Sequence, residues 1–169
     1  MQTKFIIPPD GFPTGPTTPE GAACDLIRAR FIYRARRLFQ ETCLTPPTRP
    51  SALGTYFKFY YYLLSDLRDV PPKKTTGPEE IKAIRKLYFA RDLSNPEPRV
   101  FAARELGWVG IKFVDMLLEQ NNGKKLSHRV LVAEVRKNLW FAHPLPNTSP
   151  LVSAGFNAES PSQKEWRRL

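Results

Sequence analysis

Residues 127–143, SHRVLVAEVRKNLWFAH, can be read in two ways, and the fold class turns on which is right. Ser127 stands where a helix N-cap belongs, whereas Val130, Leu131, Ala133 and Val135 also suit a strand. Taken as a helix, the stretch is the last of a small all-α bundle of four or five helices, and that is the fold expected here.

The segments upstream fit the same pattern. NNGKK, at residues 121–125, is a stop and turn. Before it, SNPE from Ser94 to Glu97 is a capping box that opens a fourth helix running to Leu118, with Gly107, Gly110, Val114 and Leu117 along one side. Two glycines inside a helix cost about 1 kcal/mol each against alanine, so their use there implies a closely packed neighbour. A third helix starts at Gly77, Pro78, Glu79 and Glu80, with acids at its positive end, and carries the stripe Ile81, Ile84, Leu87 and Tyr88. A second, capped by Ser51, is apolar over most of its circumference through Leu53, Phe57, Tyr60, Leu64 and Leu67. The first begins at Thr18 as N-cap with Pro19 following, and runs to about Leu44, where Pro46, Pro47 and Pro50 end it.

That first helix contains the densest positive charge, DLIRARFIYRARRLFQETCL at residues 25–44. Cys24, Ile27, Phe31, Ala35 and Leu38 recur at helical spacing on one stripe, while Arg30, Arg34 and Arg37 form a parallel guanidinium ladder. Together with Arg36 these arginines are the candidate contact for an acidic protein or another anion. The proline-rich flanks divide the chain into an extended N-terminal arm (1–18), a helical domain (19–143) and an extended C-terminal arm (144–169). Phe5, Ile6, Ile7 and Phe12 make the first arm sticky, so it is expected to order when laid on a surface, either a partner's or that of its own domain.

An excess of 26 Lys and Arg over 16 Asp and Glu gives a net charge of +10, which favours an anionic partner: RNA, a lipid headgroup or an acidic protein. Cys24 and Cys43, on one continuous helix, would lie roughly 28 Å apart at about 1.5 Å per residue, too far to bridge. Free thiols point to a reducing compartment. No segment has the run of apolar residues that a membrane span needs, since Lys112 and Asp115 interrupt Leu106 to Leu118. The N-terminus lacks the patterns of a secretory signal and a transit peptide.

Motifs for catalysis are missing as well. His128 and His143 are the only histidines and neither cysteine stands in a CxxC pair, so no metal site is expected. No phosphate loop, nucleophile elbow or HExxH occurs, and the GWVG of Gly107 to Gly110 lacks the lysine and spacing of a phosphate loop. Basic residues interleave with aromatics from Arg30 to Phe39 and from Lys82 to Arg91, a pattern that suits RNA, although no recognition module is present.

Ile32, Tyr33 and Arg34, followed by Arg37, resemble the signature of the mitochondrial LYR proteins, small three-helix proteins whose first helix opens with Leu-Tyr-Arg. Ile84 with Arg85, then Phe89, the Pro98-Arg99-Val100 helix start and Gly107, are similar to the later positions of that family, and the likeness is nearest to its accessory subunits in respiratory complex I. Ile32 replaces the leucine, and an extra aromatic segment separates the two halves. The resemblance implies a noncatalytic adaptor in the mitochondrial matrix or on the matrix side of the inner membrane. It would bind no cofactor itself but receive the acyl-phosphopantetheine of an acyl carrier protein, whose acidic helix Arg34, Arg36 and Arg37 would meet. The expectation is therefore an accessory or assembly subunit of a large respiratory complex, without enzymatic activity. A mitochondrial ribosomal protein that contacts RNA through basic helix faces and arms is the alternative.

Overall fold

The computed structural model describes residues 6–43, 61–68, 76–92 and 109–143. Within them the chain forms short α-helices, a π-helical segment and an antiparallel sheet, so the all-α helical bundle expected from the sequence is not the fold. In order, these are α1 (Pro19–Ile27), the π-helical Arg28–Ile32, α2 (Arg36–Thr42), β1 (Ile81–Leu87), β2 (Arg91–Asp92), β3 (Gly110–Gln120), β4 (Lys125–Arg136) and β5 (Leu139–Ala142). The expected Ser51 cap, SNPE capping box and C-terminal arm lie outside the described residues; of the expected second helix, residues 61–68 are described, and of these 61–65 are helical while 66–68 are not.

Both runs that decide the matter are strands. β3 and β4 pair antiparallel from Gly110 opposite Glu134 to Glu119 opposite Lys125, joined by a turn in which Gly123 takes φ +84°. The NNGKK stretch is thus a hairpin turn and not a break between helices. The ambiguity in the sequence has a physical origin, because both faces of this hairpin are buried. Val114, Met116, Leu118, Val130 and Val132 face the helices, while Ile111, Phe113, Leu131 and Ala133 are buried on the other side. A strand covered on both faces loses the alternation of polar and apolar residues that marks a half-buried one.

The expected third helix is β1, and its helical spacing also has a cause. Register shifts between Ile81 and Ala83 and between Ile84 and Lys86 each insert an extra residue, so Ile81 and Ile84 both reach the core at a spacing of three. β1 and β2 lie along the same edge of β3, opposite Met116–Gln120 and Lys112–Phe113 respectively, which gives the sheet order β1-β3-β4-β5.

The first helix is interrupted. α1 starts as expected for its sequence, with the Thr18 hydroxyl accepting from Gly21 N (3.0 Å) and Pro19 in the first turn. After Ile27 it widens, and Tyr33 N donates to Arg28 O (2.8 Å) and Ala35 N to Ala29 O (2.8 Å). Arg34 then takes φ +50°, a left-handed conformation rare for a residue with a side chain, and Ala35 is extended. The kink is hooked to the neighbouring segment by Arg68 N to Arg34 O (3.1 Å) and Arg36 N to Arg68 O (2.9 Å). α2 folds back so that Thr42 Oγ1 donates to Ala22 O (3.2 Å), bringing together positions that a continuous helix would hold about 30 Å apart. The axial separation assigned to Cys24 and Cys43 therefore does not apply; both are free thiols in the core. Ile32, Tyr33 and Arg34, the LYR-like signature, are the exit from the π-helical segment, and Ile84 and Arg85 are in a strand. Among the described residues these positions do not form the three helices that the resemblance implies.

Helices and sheet share one core, in which Ala22, Ala23, Leu26, Ile27 and Phe39 pack on Val114, Met116, Val130, Val132 and Trp140. The N-terminal arm is laid on this same domain. Pro16 O accepts from Trp140 N (2.7 Å) at the outer edge of β5, and Cys43 bridges Ala142 on that edge. A sheet edge engaged in this way is closed to pairing with another chain at those positions.

Candidate functional site

The break in the first helix opens a cavity of about 500 Å³ between the kink and the sheet. Phe31, Leu63, Leu67, Ile81, Leu118 and Leu126 supply its apolar wall; Arg30, Arg34, Asp66, Glu79, Glu80, Gln120 and His128 supply its polar groups. Its volume falls in the range of about 300–1,000 Å³ typical of small-molecule sites. Three features build it: the widened turn that swings Arg30 and Phe31 sideways, the left-handed Arg34, and the Gly77–Glu80 turn clamped to the hairpin tip. In that clamp Asn121 N donates to Glu80 O (2.9 Å), Asn122 N to Pro78 O (2.9 Å) and Asn121 Nδ2 to Gly77 O (2.7 Å). π-helical turns and left-handed residues both recur at functional sites, where tertiary contacts outweigh their local strain.

The four arginines that the sequence placed together part company. Arg30 lines the cavity and is half-buried, its guanidinium 4.7 Å from the Phe31 ring centre. Burial lowers its pKa, with a small opposing contribution from the Cys43 thiol nearby. Arg34 is at the mouth, 3.8 Å from Glu80 and donating to Asp66 O (3.4 Å). Arg37 faces outward and pairs with Glu41 one turn on (3.3 Å), and Arg36 is half-buried on α2. Of the remaining signature positions, Ile32 is in the core, Tyr33 is partly buried beside it, and Phe89 is 92% exposed just after β1.

Sequence reasoning assigns His128 no functional role. It comes from the core face of β4, and its ring meets that of Phe31 edge to face at 5.7 Å and 76°. Burial, and after it the charge of Arg30, pushes its pKa from 6.5 down to about 4. The imidazole is neutral in the folded protein while the unfolded chain takes up its proton near 6.5, so stability falls as pH drops from 6.5 to about 4, by about 2–3 kcal/mol. His128→Gln should abolish that share of the acid sensitivity, seen as a smaller loss of urea midpoint between pH 7 and pH 4.5; equal losses in both proteins would refute the assignment.

Arg28 is the larger omission. Fully buried, it uses all five of its N–H donors: Nε to Asp10 Oδ2 (2.9 Å), Nη1 to Asp25 Oδ1 (2.7 Å) and Pro13 O (2.8 Å), Nη2 to Asp10 Oδ1 (2.6 Å) and Phe12 O (3.0 Å). Asp25 also accepts from Thr14 Oγ1 (2.8 Å) and Gly15 N (2.8 Å). Arg28 is thus a clasp for the arm, with no donor left for a ligand. A signal for it exists in the sequence: Arg28 falls four residues after Cys24 on the apolar stripe and three after an acid.

Nucleophilic chemistry has little footing at these sites. Burial pushes the Cys24 thiol up to about 12 and the Cys43 thiol well above its ordinary value, so neither forms the reactive thiolate near neutral pH. Among the described residues no three His, Cys, Asp or Glu side chains are grouped to hold a metal ion, and no helix is long and apolar enough to cross a membrane. No family model, curated protein or solved structure matches this chain, so its cavity stands on its own geometry.

Proposed function

We propose that the protein is a noncatalytic binding subunit that seats an apolar, charged-headed group in the cavity between the kinked first helix and the sheet. The carrying observation is the cavity itself: an apolar wall with guanidinium, imidazole and carboxylate groups converging on it. A binding role suits the groups present, since an imidazole with a pKa of about 4 is a poor proton acceptor at neutral pH. RNA contact through basic faces has less support. Lys82 and Arg85 share Glu119, Arg37 pairs with Glu41, and Arg34 with Glu80, so these cations are each engaged with a carboxylate of the same chain.

The test is titration with 1-anilinonaphthalene-8-sulfonate, an apolar probe with one anionic group. Saturable 1:1 binding is expected, lost in Leu126→Trp, which fills the cavity from the partly buried hairpin, while far-ultraviolet dichroism and the urea midpoint stay near those of the parent. Absence of saturable binding, or equal binding by the filled variant, would overturn the proposal.

A further inference from the structure

We propose that Arg34 is a strap across the mouth of the cavity, a loosely held side chain on a rigid anchor that swings aside when an apolar ligand enters or leaves. This rests on the cavity being a binding site, as proposed above, and adds what controls access to it.

The anchor is the backbone. At φ +50° Arg34 is left-handed, a conformation that strains a residue with a side chain and that glycine adopts freely. The strain cannot relax, because Arg34 O accepts from Arg68 N (3.1 Å), Ala35 N donates to Ala29 O (2.8 Å) and Arg36 N donates to Arg68 O (2.9 Å). An arginine where glycine would be easier points to a use for its side chain.

That side chain reaches two separate parts of the rim. Nη2 donates to Asp66 O (3.4 Å) on the 61–68 segment, which also gives Leu63 and Leu67 to the cavity wall. Nη1 faces Glu80 Oε1 (3.8 Å) on the turn that leads into Ile81. Both catch points are themselves held, since Asp66 N donates to Leu63 O (3.1 Å) and Glu80 Oε2 accepts from Gly77 N (2.9 Å). The Arg34 and Glu80 side chains are each 41% exposed, which places the bridge at the solvent boundary of the cavity.

The free end of the strap is loose. Its contacts are long beside the roughly 2.7–3.2 Å usual for N–H···O bonds, and a half-exposed ion pair adds little in water, so the bridge opens easily. Such a bridge is an obstacle that an entering and a departing ligand both meet, and its removal speeds both passages. A residue that simply holds the ligand acts otherwise: losing it speeds departure alone.

Stopped-flow binding of two probes to the full chain separates these roles, one the anionic 1-anilinonaphthalene-8-sulfonate and the other the uncharged N-phenyl-1-naphthylamine. Arg34→Gly and Arg34→Asn both suit a left-handed backbone, and neither side chain is long enough to reach Glu80. Each variant should raise the association and dissociation rate constants of both probes by about threefold or more, so that affinity changes less than either rate, with the urea midpoint near the parent's. Faster dissociation alone, or an effect confined to the anionic probe, would make Arg34 a contact for the ligand and overturn the strap. Acceleration by Arg34→Gly without Arg34→Asn would overturn it too, by tracing the effect to backbone freedom. Unchanged rates in both variants, with binding still lost in Leu126→Trp, would remove the strap and leave the cavity site standing; a parent chain that binds neither probe saturably removes both.

Discussion

Arg28→Met should destabilise the protein by about 3–5 kcal/mol, a large share of the 5–15 kcal/mol that holds a typical domain together. Methionine fills much of the same space but leaves Asp10 and Asp25 without their cation and the carbonyls of Phe12 and Pro13 without their donor. The penalty for such stranded groups exceeds what the pair contributed over water. Asp10→Asn should cost much less, about 1–2 kcal/mol, because that side chain is 29% exposed and water can take over part of its bonding. Burial alone would raise the Asp10 pKa, but the bonds from Arg28 and from Phe12 N outweigh it and hold the carboxyl below 3.8. Its contribution is therefore complete above the ordinary carboxylate range and is lost as pH falls through the lowered value. Urea midpoints measure the energies, and protease cleavage within residues 6–16 reports release of the arm. An Arg28→Met chain with the parent's midpoint and an uncut arm would show that the clasp is ornamental.

Much of this was legible where a local rule acts alone. Thr18 with Pro19 is a start signal that does not depend on the rest of the chain, and it opens α1. Asn122 and Gly123 mark a turn equally well between helices or strands, and what decides between those is the burial of the flanking runs, a long-range property. In β3 and β4 both faces are covered, so the polarity of successive residues has no period to detect. In β1 two bulges convert the strand's period of two into a spacing of three, which mimics a helix. The cavity was illegible for a related reason. An unbroken helix through residues 19–44 satisfies every local preference, and the kink at Arg34 exists because Arg68 supplies the partners for its freed backbone groups. A helical ladder of Arg30, Arg34 and Arg37 was therefore a fair inference from spacing and a wrong picture of where the three guanidinium groups point.

Because both faces of the β3–β4 hairpin are apolar, hydrophobic pattern alone sets its register weakly: a slip by one residue would exchange one apolar face for the other. Asp115 and Arg129 oppose each other directly in that pairing, are 5% and 2% exposed, and form a bidentate ion pair, with Nη2 to Oδ2 at 3.2 Å. The guanidinium lies 4.9 Å from the centre of the Phe113 ring, among Ile111, Leu131 and Ala133. Asp115→Leu strips a buried guanidinium of its carboxylate and should cost about 3–5 kcal/mol, as should Arg129→Met from the other side. The double variant should recover most of that loss or exceed the parent, since an apolar pair of similar volume escapes the desolvation of two charges. What it should lose is uniqueness. Any slipped register of the parent separates two buried charges, whereas a slipped register of the double variant separates only two side chains of the kind that already surround them. Cross-strand NMR contacts between β3 and β4 should therefore be single in the parent and multiple in the double variant at undiminished stability. If the double variant is as unstable as the singles, the pair contributes through contacts beyond its own charges. If it is stable with one register, the bulged β1 edge and the Gly123 turn fix the pairing without it.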